Sequence, residues 1–150
     1  MVKHVLISLV CLVSVGNVTA QLAEYPDFKI CLSMHLKAIE RKMIRAIDAT
    51  VSDSVVLIFP DGEVMKSKQK FMDFHKEWFA DSTWRMTFNI LKTVEKDDLG
   101  YAFVKYRSTR TNKDGSPESN SESYLLLIFE KQKDVWKLIH DQNTSVAVSN

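Results

Sequence analysis

The sequence contains little cysteine, proline or glycine, and its charges nearly cancel. Its 150 residues include two cysteines, three prolines and four glycines, and the formal net charge is +1 at pH 7. A neutral balance of interspersed charges argues against nucleic acid and against an acidic membrane surface as partners, because both need a concentrated positive field. The sequence also lacks repeats and low-complexity linkers, so we expect a single folded domain.

The first residues have the pattern of a secretory signal peptide. Lys3 gives a basic start, an apolar core covers residues 5–15, and Ala20 supplies a small residue at the exit. This apolar core is much shorter than the roughly 20 residues that span a bilayer. We therefore predict a signal peptide at 1–20 and an exported domain at 21–150, periplasmic or secreted and not inserted in a membrane. An uncleaved anchor or a buried N-terminal helix is the alternative.

Removal of the predicted signal peptide leaves Cys31 as the only cysteine. A lone cysteine excludes an intramolecular disulfide, so the stability of the domain must come from its hydrophobic core and from any partner subunit. We expect Cys31 to be a small apolar residue on a helix rather than a nucleophile.

Residues typical of metal and cofactor sites are scattered. His35, His75 and His140 lie far apart in the sequence, and the domain has no paired cysteines. A glycine-rich phosphate loop, a Gly-x-Ser-x-Gly elbow and a dinucleotide fingerprint are also missing. We predict that the protein uses no metal and no cofactor.

The hydrophobic pattern at the start of the domain changes from helical to extended. Residues 27–51 contain no glycine or proline and repeat apolar side chains every three or four positions, which predicts one amphipathic helix or two in succession. The apolar run 55–59 predicts a buried strand. A Pro-Asp-Gly turn at 60–62 and a short strand at 63–65 follow.

The remainder of the chain predicts one more helix and then a series of strands. Residues 67–80 return to helical spacing. Three long extended segments come next, at 84–95, 101–111 and 121–131, separated by turns rich in Asp, Asn and Gly. A last strand covers 136–143. Helices first and strands afterwards indicate an α+β fold with about six strands.

One of the predicted strands is apolar on both faces. Residues 124–129 read Tyr-Leu-Leu-Leu-Ile-Phe, whereas one layer of helices covers only one face of a sheet. We predict that a second copy of the chain covers the other face, because symmetric dimers are the commonest soluble oligomers and such a patch rarely stays exposed. A long loop that folds back is the alternative.

The order of these elements resembles the nuclear transport factor 2-like superfamily, and in particular its SnoaL-like and DUF4440 branch. The resemblance rests on the Phe-Pro-Asp-Gly turn at 59–62, on the aromatic segment 71–79 and on the final strand from Trp136 to Asp141. It implies a cone-shaped barrel, in which a curved antiparallel sheet packs on the N-terminal helices, usually dimeric through the outer sheet face. The superfamily hosts isomerases, cyclases, dehydratases and noncatalytic association modules, so the fold alone does not give the function.

The final strand ends in polar residues that are costly to bury unless they are paired or face a ligand. Alternation of side chains puts Trp136, His140 and Gln142 on one face and Asp141 on the other, unless a bulge shifts the phase. The Trp136 face is the more apolar, so we predict that His140 and Gln142 line the cone. A core histidine bonded to a neighbour is the alternative for His140.

Further candidate ligand-pocket residues lie on the other elements. Either Arg107 faces the cone and offers a bidentate clamp for a carboxylate, or Tyr106 does and offers a hydroxyl group. Trp78 and Trp84 are expected at the helix end that roofs the cone. Tyr124 completes the predicted set.

These residues are compatible with three classes of function. The one that we favour is noncatalytic binding of a small, partly apolar molecule by an exported homodimer. The second is an isomerase, cyclase or dehydratase that acts on a carbonyl-bearing substrate, with His140 as general acid or base and Tyr106 or Tyr124 polarising the carbonyl group. The third is an association module whose cone is filled by its own side chains.

Overall fold

The computed structural model describes residues 24–146. The predicted signal peptide lies outside these residues, so its cleavage stays a prediction. Within the described range, no helix has both the length and the apolar character needed to cross a membrane.

Of the three helices in the described part of the chain, two follow each other directly and the third lies between strands. The helices are α1 (Phe28–Glu40), α2 (Ile44–Thr50) and α3 (Lys68–Ala80). Asp27 caps the first helix, because its side chain accepts a hydrogen bond of 2.9 Å from the backbone N–H of Ile30. Lys42 breaks the helical path with a φ of 55°, so the long amphipathic segment forms two helices rather than one.

Within residues 24–146, six strands form one curved sheet. They are β1 (Val51–Ile58), β2 (Val64–Lys66), β3 (Trp84–Lys96), β4 (Leu99–Thr111), β5 (Pro117–Gln132) and β6 (Val135–Ser145). Their order across the sheet is β2-β1-β6-β5-β4-β3, and every pairing is antiparallel except that of β1 with β6. The predicted α+β fold with six strands is confirmed. One boundary was wrong, because the strand predicted at 55–59 begins already at Val51.

The hydrophobic core lies between the helices and the face of the sheet that they cover, which we call the interior face. Phe28 is fully buried there, with its ring 5.7 Å from that of Phe129 and 5.3 Å from that of Trp136. Cys31 is also fully buried, and its thiol donates to the backbone oxygen of Trp136 at 3.2 Å. Burial raises the pKa of Cys31 to about 12. The expectation of an apolar helix residue is confirmed.

Close packing against Phe28 explains the glycine at position 100. A Cβ at Gly100 would lie 2.9 Å from two carbon atoms of the Phe28 ring, which its aromatic neighbours prevent from moving. We therefore expect Gly100→Ala to lower the free energy of unfolding by about 1–3 kcal/mol through overpacking. Urea unfolding at constant m-value measures this loss. The double variant with Phe28→Leu provides the control, since strictly additive losses would contradict the proposed clash.

A bulge in β6 decides which of its side chains face the interior. Phe129 pairs with Leu138 and Ile128 pairs with His140, so Ile139 is an extra residue on β6. An extra residue reverses the alternation of side chains along the rest of the strand. The interior residues of β6 are therefore Trp136 and Leu138 before the bulge, and Asp141 and Asn143 after it.

We predicted that His140 and Gln142 line the cone. This prediction is wrong, because it assumed that side chains alternate along β6 without a bulge. Both residues lie after the bulge and point to the opposite surface of the sheet, which we call the outer face. The outer face also carries Phe103 from β4 and Leu126 and Ile128 from β5, which alternate with buried neighbours.

Candidate functional site

A cavity of about 430 Å³ lies between the interior face of the sheet and helix α3. Its aromatic lining residues are Phe59, Phe74, Trp78, Phe88 and Tyr106. Its aliphatic and thioether lining residues include Ile39, Leu57, Met86 and Leu125. Its polar lining residues include His75, Ser108, Ser123, Asp141 and Asn143. Both the size and the mostly apolar lining with a few polar groups are typical of small-molecule sites.

Asp141 is the buried carboxyl group of this cavity. Only 5% of the residue is exposed, and the amide of Asn143 donates to Oδ1 at 3.3 Å. Among the described residues no hydrogen bond reaches Oδ2. Burial raises the pKa of Asp141 to about 7, because a low-dielectric environment disfavours the carboxylate. Near neutral pH this side chain is therefore able both to donate and to accept a proton.

Tyr106 places a phenol in the same cavity, opposite Ser123 on β5. Burial raises its pKa, the hydrogen bond with the side chain of Ser123 lowers it, and the nearby charge of Asp141 raises it. The net shift is upward, so Tyr106 stays protonated at neutral pH and its hydroxyl is a hydrogen-bond donor.

His75 contributes an uncharged imidazole from α3. Its Nδ1 lies 2.8 Å from the backbone oxygen of Phe71, and because a carbonyl oxygen only accepts, Nδ1 carries the proton and Nε2 is an acceptor. Burial lowers the pKa of His75 to about 4. Its ring stacks on that of Phe71 and meets those of Phe74 and Trp78 edge to face.

The two tryptophans predicted at the roof lie in successive layers. Trp78 lines the cavity, and its ring stacks on that of Trp84 at 4.3 Å. The indole N–H of Trp84 donates to the backbone oxygen of Trp78 at 2.8 Å. The ammonium of Lys42 covers the ring of Trp84 at 4.0 Å. Trp84 thus holds Trp78 in place and does not itself line the cavity.

The structure brings only two of the predicted pocket residues, Tyr106 and Trp78, to the cavity wall. Trp136 is buried in the core against Phe28 and does not reach the cavity. Tyr106 rather than Arg107 faces the cavity, and only one of the two can do so because successive residues of a strand face opposite sides.

Arg107 and Tyr124, like His140 and Gln142, lie on the outer face. Arg107 donates to the carboxylate of Glu122 at 3.1 Å, and the ammonium of Lys105 lies 2.6 Å from the same carboxylate. Tyr124 stacks on Phe103 at 5.2 Å. Neither Arg107 nor Tyr124 lines the cavity, which corrects their predicted placement.

Sequence reasoning did not predict Asp141 and Asn143 as cavity residues. The polar run at the end of β6 was the right signal, but only the pairing of β6 with β5 shows where the extra residue lies. Within residues 24–146, the His, Cys, Asp and Glu side chains form no group of three or more that could hold a metal ion.

Comparison with known proteins supports the fold. The SnoaL-like domain family matches residues 31–149. A ketosteroid isomerase-like protein from Erwinia carotovora atroseptica is 21% identical, with a TM-score of 0.68 over 80% of this chain and 94% of that chain. A nuclear transport factor 2-like superfamily protein from Salmonella enterica is 12% identical, with a TM-score of 0.65 over 81% and 89%.

A third similar structure is an uncharacterized protein with a cystatin-like fold from Caulobacter vibrioides. It is 14% identical, with a TM-score of 0.67 over 79% of this chain and 87% of that chain. At these identities the structural likeness shows the fold alone. The search of curated proteins found no match to this chain.

Proposed function

The chain belongs to the SnoaL-like domain family, and we propose that it binds one small, partly apolar molecule in the cavity beneath α3. The observation that carries this proposal is the convergence of Asp141 and Tyr106 in a cavity with mostly apolar walls. Apolar walls supply affinity through burial, and a few fixed polar groups orient the ligand. Binding without chemistry is the function that needs the fewest additional groups.

A cavity-filling variant tests this proposal. Met86 lines the cavity from β3, whereas Leu91 on the same strand is 46% exposed. We expect Met86→Trp to weaken binding of the neutral dye N-phenylnaphthylamine by at least about tenfold, because the indole occupies the ligand volume. Leu91→Trp is the control and leaves the affinity unchanged. If the wild-type protein binds no apolar dye, or if both variants bind it equally, the cavity is not a ligand site.

Acid–base catalysis on a carbonyl-bearing substrate is the second candidate, and the raised pKa of Asp141 favours it. A catalytic acid or base works best when its pKa lies near the working pH, and that of Asp141 is about 7. The role first predicted for His140 passes to Asp141, since His140 lies on the outer face. In this proposal Asp141 transfers the proton at carbon and Tyr106 polarises the carbonyl oxygen.

Hydrogen exchange at the α-carbon of a simple ketone tests the catalytic proposal. In heavy water, wild-type protein is expected to accelerate exchange of the α-protons of cyclohexanone, and Asp141→Asn to slow it by roughly 100-fold or more. Asp98→Asn, a change of the same charge in an exposed turn, serves as the control. Exchange that is equally fast with Asp141→Asn would remove the catalytic role of this residue.

We further propose that the protein is a homodimer through its outer face. This face combines an apolar centre, in which Phe103 is 38% exposed, with both signs of charge in Lys105, Arg107 and Glu122 at one end. A patch of this composition is complementary to a second copy of itself under twofold symmetry.

The molar mass measured by light scattering tests the proposed dimer. Phe103→Asp places a charge in the apolar centre and should convert the dimer to a monomer. Ile30→Asp, at a side chain that is 55% exposed on α1, is the matched control and should remain a dimer. A wild-type protein that is monomeric at high concentration would contradict the proposal.

We also propose export through the predicted signal peptide. Protein recovered from the extracytoplasmic fraction of its native host should begin at Gln21, whereas a chain that keeps residues 1–20 would contradict cleavage.

A further inference from the structure

The cavity has an unbalanced electrostatic character. Asp141 contributes a buried carboxyl group whose Oδ2 takes no hydrogen bond from the described residues. No lysine or arginine lines the cavity in the described part of the chain. The second carboxylate at its edge, that of Glu122, is already paired with Lys105 and Arg107. The described residues thus provide a buried acid and no cation to balance it.

Aromatic rings surround the same space. Phe74 and Trp78 come from α3, with their rings stacked at 5.8 Å, and Phe59 meets Phe74 edge to face at 5.1 Å. Phe88 and Tyr106 come from the sheet, with their ring centroids 6.2 Å apart. The faces of aromatic rings attract cations, and this attraction grows when the cation is desolvated.

We propose that the ligand of this cavity is a small amine that carries one positive charge on an apolar body, with its ammonium group at Asp141 and its body against the aromatic rings. The proposal rests on the binding function proposed above and assigns the ligand its chemical class. An ammonium group supplies the charge that Asp141 lacks, and it donates to the carboxylate oxygen that has no partner.

Other ligand classes fit these groups less well. A carboxylate or a phosphate would meet no cation among the described residues of the cavity and would be repelled by ionised Asp141. A neutral carbonyl compound would need Asp141 in its protonated form, so that the acid donates a hydrogen bond. A charged amine therefore needs ionised Asp141 and a neutral carbonyl compound needs protonated Asp141. The pH dependence of binding distinguishes the two ligand classes.

Asp141 is the group in the cavity that titrates across neutral pH. His75 on α3 lines the same cavity, and its pKa of about 4 leaves it uncharged near neutral pH; Tyr106 on β4 also lines the cavity and stays protonated. Its partners in the neighbouring strands, Leu57 on β1 and Leu127 on β5, carry no charge. Glu122 lies at the edge, where its cationic partners lower its pKa and keep it ionised.

Calorimetric titration with two matched probes tests the proposal. Phenethylammonium is an alkyl amine that keeps its charge below about pH 9. Its neutral isostere is phenylethanol. With the pKa of Asp141 at about 7, the ionised fraction and hence the affinity for the amine should rise roughly 30-fold from about pH 5.5 to about pH 8. The affinity for phenylethanol should stay constant or fall.

Variants connect this result to Asp141. Asp141→Asn should abolish the pH dependence of amine binding and weaken that binding at least about tenfold at the higher pH, while phenylethanol binds as before. Asp98→Asn, an exposed change of the same charge, should retain the wild-type pH dependence. Together these results would support an amine ligand.

Two outcomes would overturn the amine proposal, and only the second would also contradict the binding function. If phenylethanol binds at least as well as the amine and Asp141→Asn weakens neither, the ligand is not an amine but the cavity still binds small molecules. If neither probe binds and the dye described above does not bind either, the binding function fails together with the amine proposal.

Discussion

Asp141→Asn is expected to stabilise the protein above pH 7 by about 4 kcal/mol, which is the free energy that corresponds to a pKa raised from 3.8 to about 7. The folded protein holds the proton of Asp141 more tightly than the unfolded chain does. The stabilisation from this proton is fully present below pH 3.8 and is lost as the pH rises to about 7. Asparagine has nearly the same shape, carries no charge and still accepts from Asn143.

The pH dependence distinguishes this mechanism from a simple gain in packing. The difference in unfolding free energy between Asp141→Asn and wild type should be small near pH 4, grow by about 1.4 kcal/mol per pH unit, and level off above pH 7. Urea unfolding of both proteins at several pH values gives this curve. A difference that is the same at all pH values would contradict a buried, proton-binding carboxyl group.

The second large effect is a loss of stability in acid, caused by two buried neutral histidines. Burial lowers the pKa of His35 from 6.5 to about 3 and that of His75 from 6.5 to about 4. The unfolded chain therefore binds protons that the folded protein rejects. The stability that depends on the neutral rings is complete above pH 6.5 and is lost as the pH falls towards these lowered values.

The geometry of His35 shows why its protonation is costly. The hydroxyl of Thr50 donates to backbone oxygens of α2, so it accepts from Nδ1 of His35, 2.9 Å away. The other nitrogen, Nε2, is buried and has no hydrogen-bond partner among the described residues. A proton on Nε2 would place a charge in the core that no hydrogen-bond partner among the described residues balances.

The net effect follows from the three titrating groups. Each histidine lowers the free energy of unfolding by about 1.4 kcal/mol per pH unit below pH 6.5. Protonation of Asp141 stabilises the folded protein over the same pH range and so offsets the loss from one of the two histidines. We expect wild-type protein to lose about 3 kcal/mol between pH 6.5 and 4, and Asp141→Asn to lose about twice as much. Losses of this size are a large part of the total stability of a small domain.

Histidine variants test the assignment. His75→Leu removes one titrating group, so its stability should fall less steeply in acid than that of the wild type, by about 1.4 kcal/mol per pH unit. Gln142→Leu is the control, because this side chain does not titrate and lies half-exposed on the outer face, and its slope should equal that of the wild type. Equal slopes in all three proteins would show that His75 is not buried and neutral.

Most of the fold was predictable from local patterns. Helices repeat apolar residues every three or four positions and strands every two, and these periods are visible in the sequence without knowledge of distant contacts. The helical spacing at 67–80 predicted α3, and the extended segment at 121–131 predicted β5, for this reason. The amphipathic segment before β1 predicted either one helix or two. The structure has two, because the backbone at Lys42 is left-handed.

The candidate site depended on information that no local pattern contains. Sequence alternation by itself determined that Tyr106 and Arg107 face opposite sides, and that Asp141 and His140 do so as well. Only the tertiary structure decided which member of each pair faces the cavity. For the pair on β6, the physical reason is that one extra residue at Ile139 reverses the phase of the strand, and the position of that residue is set by hydrogen bonding to β5, which is distant in sequence.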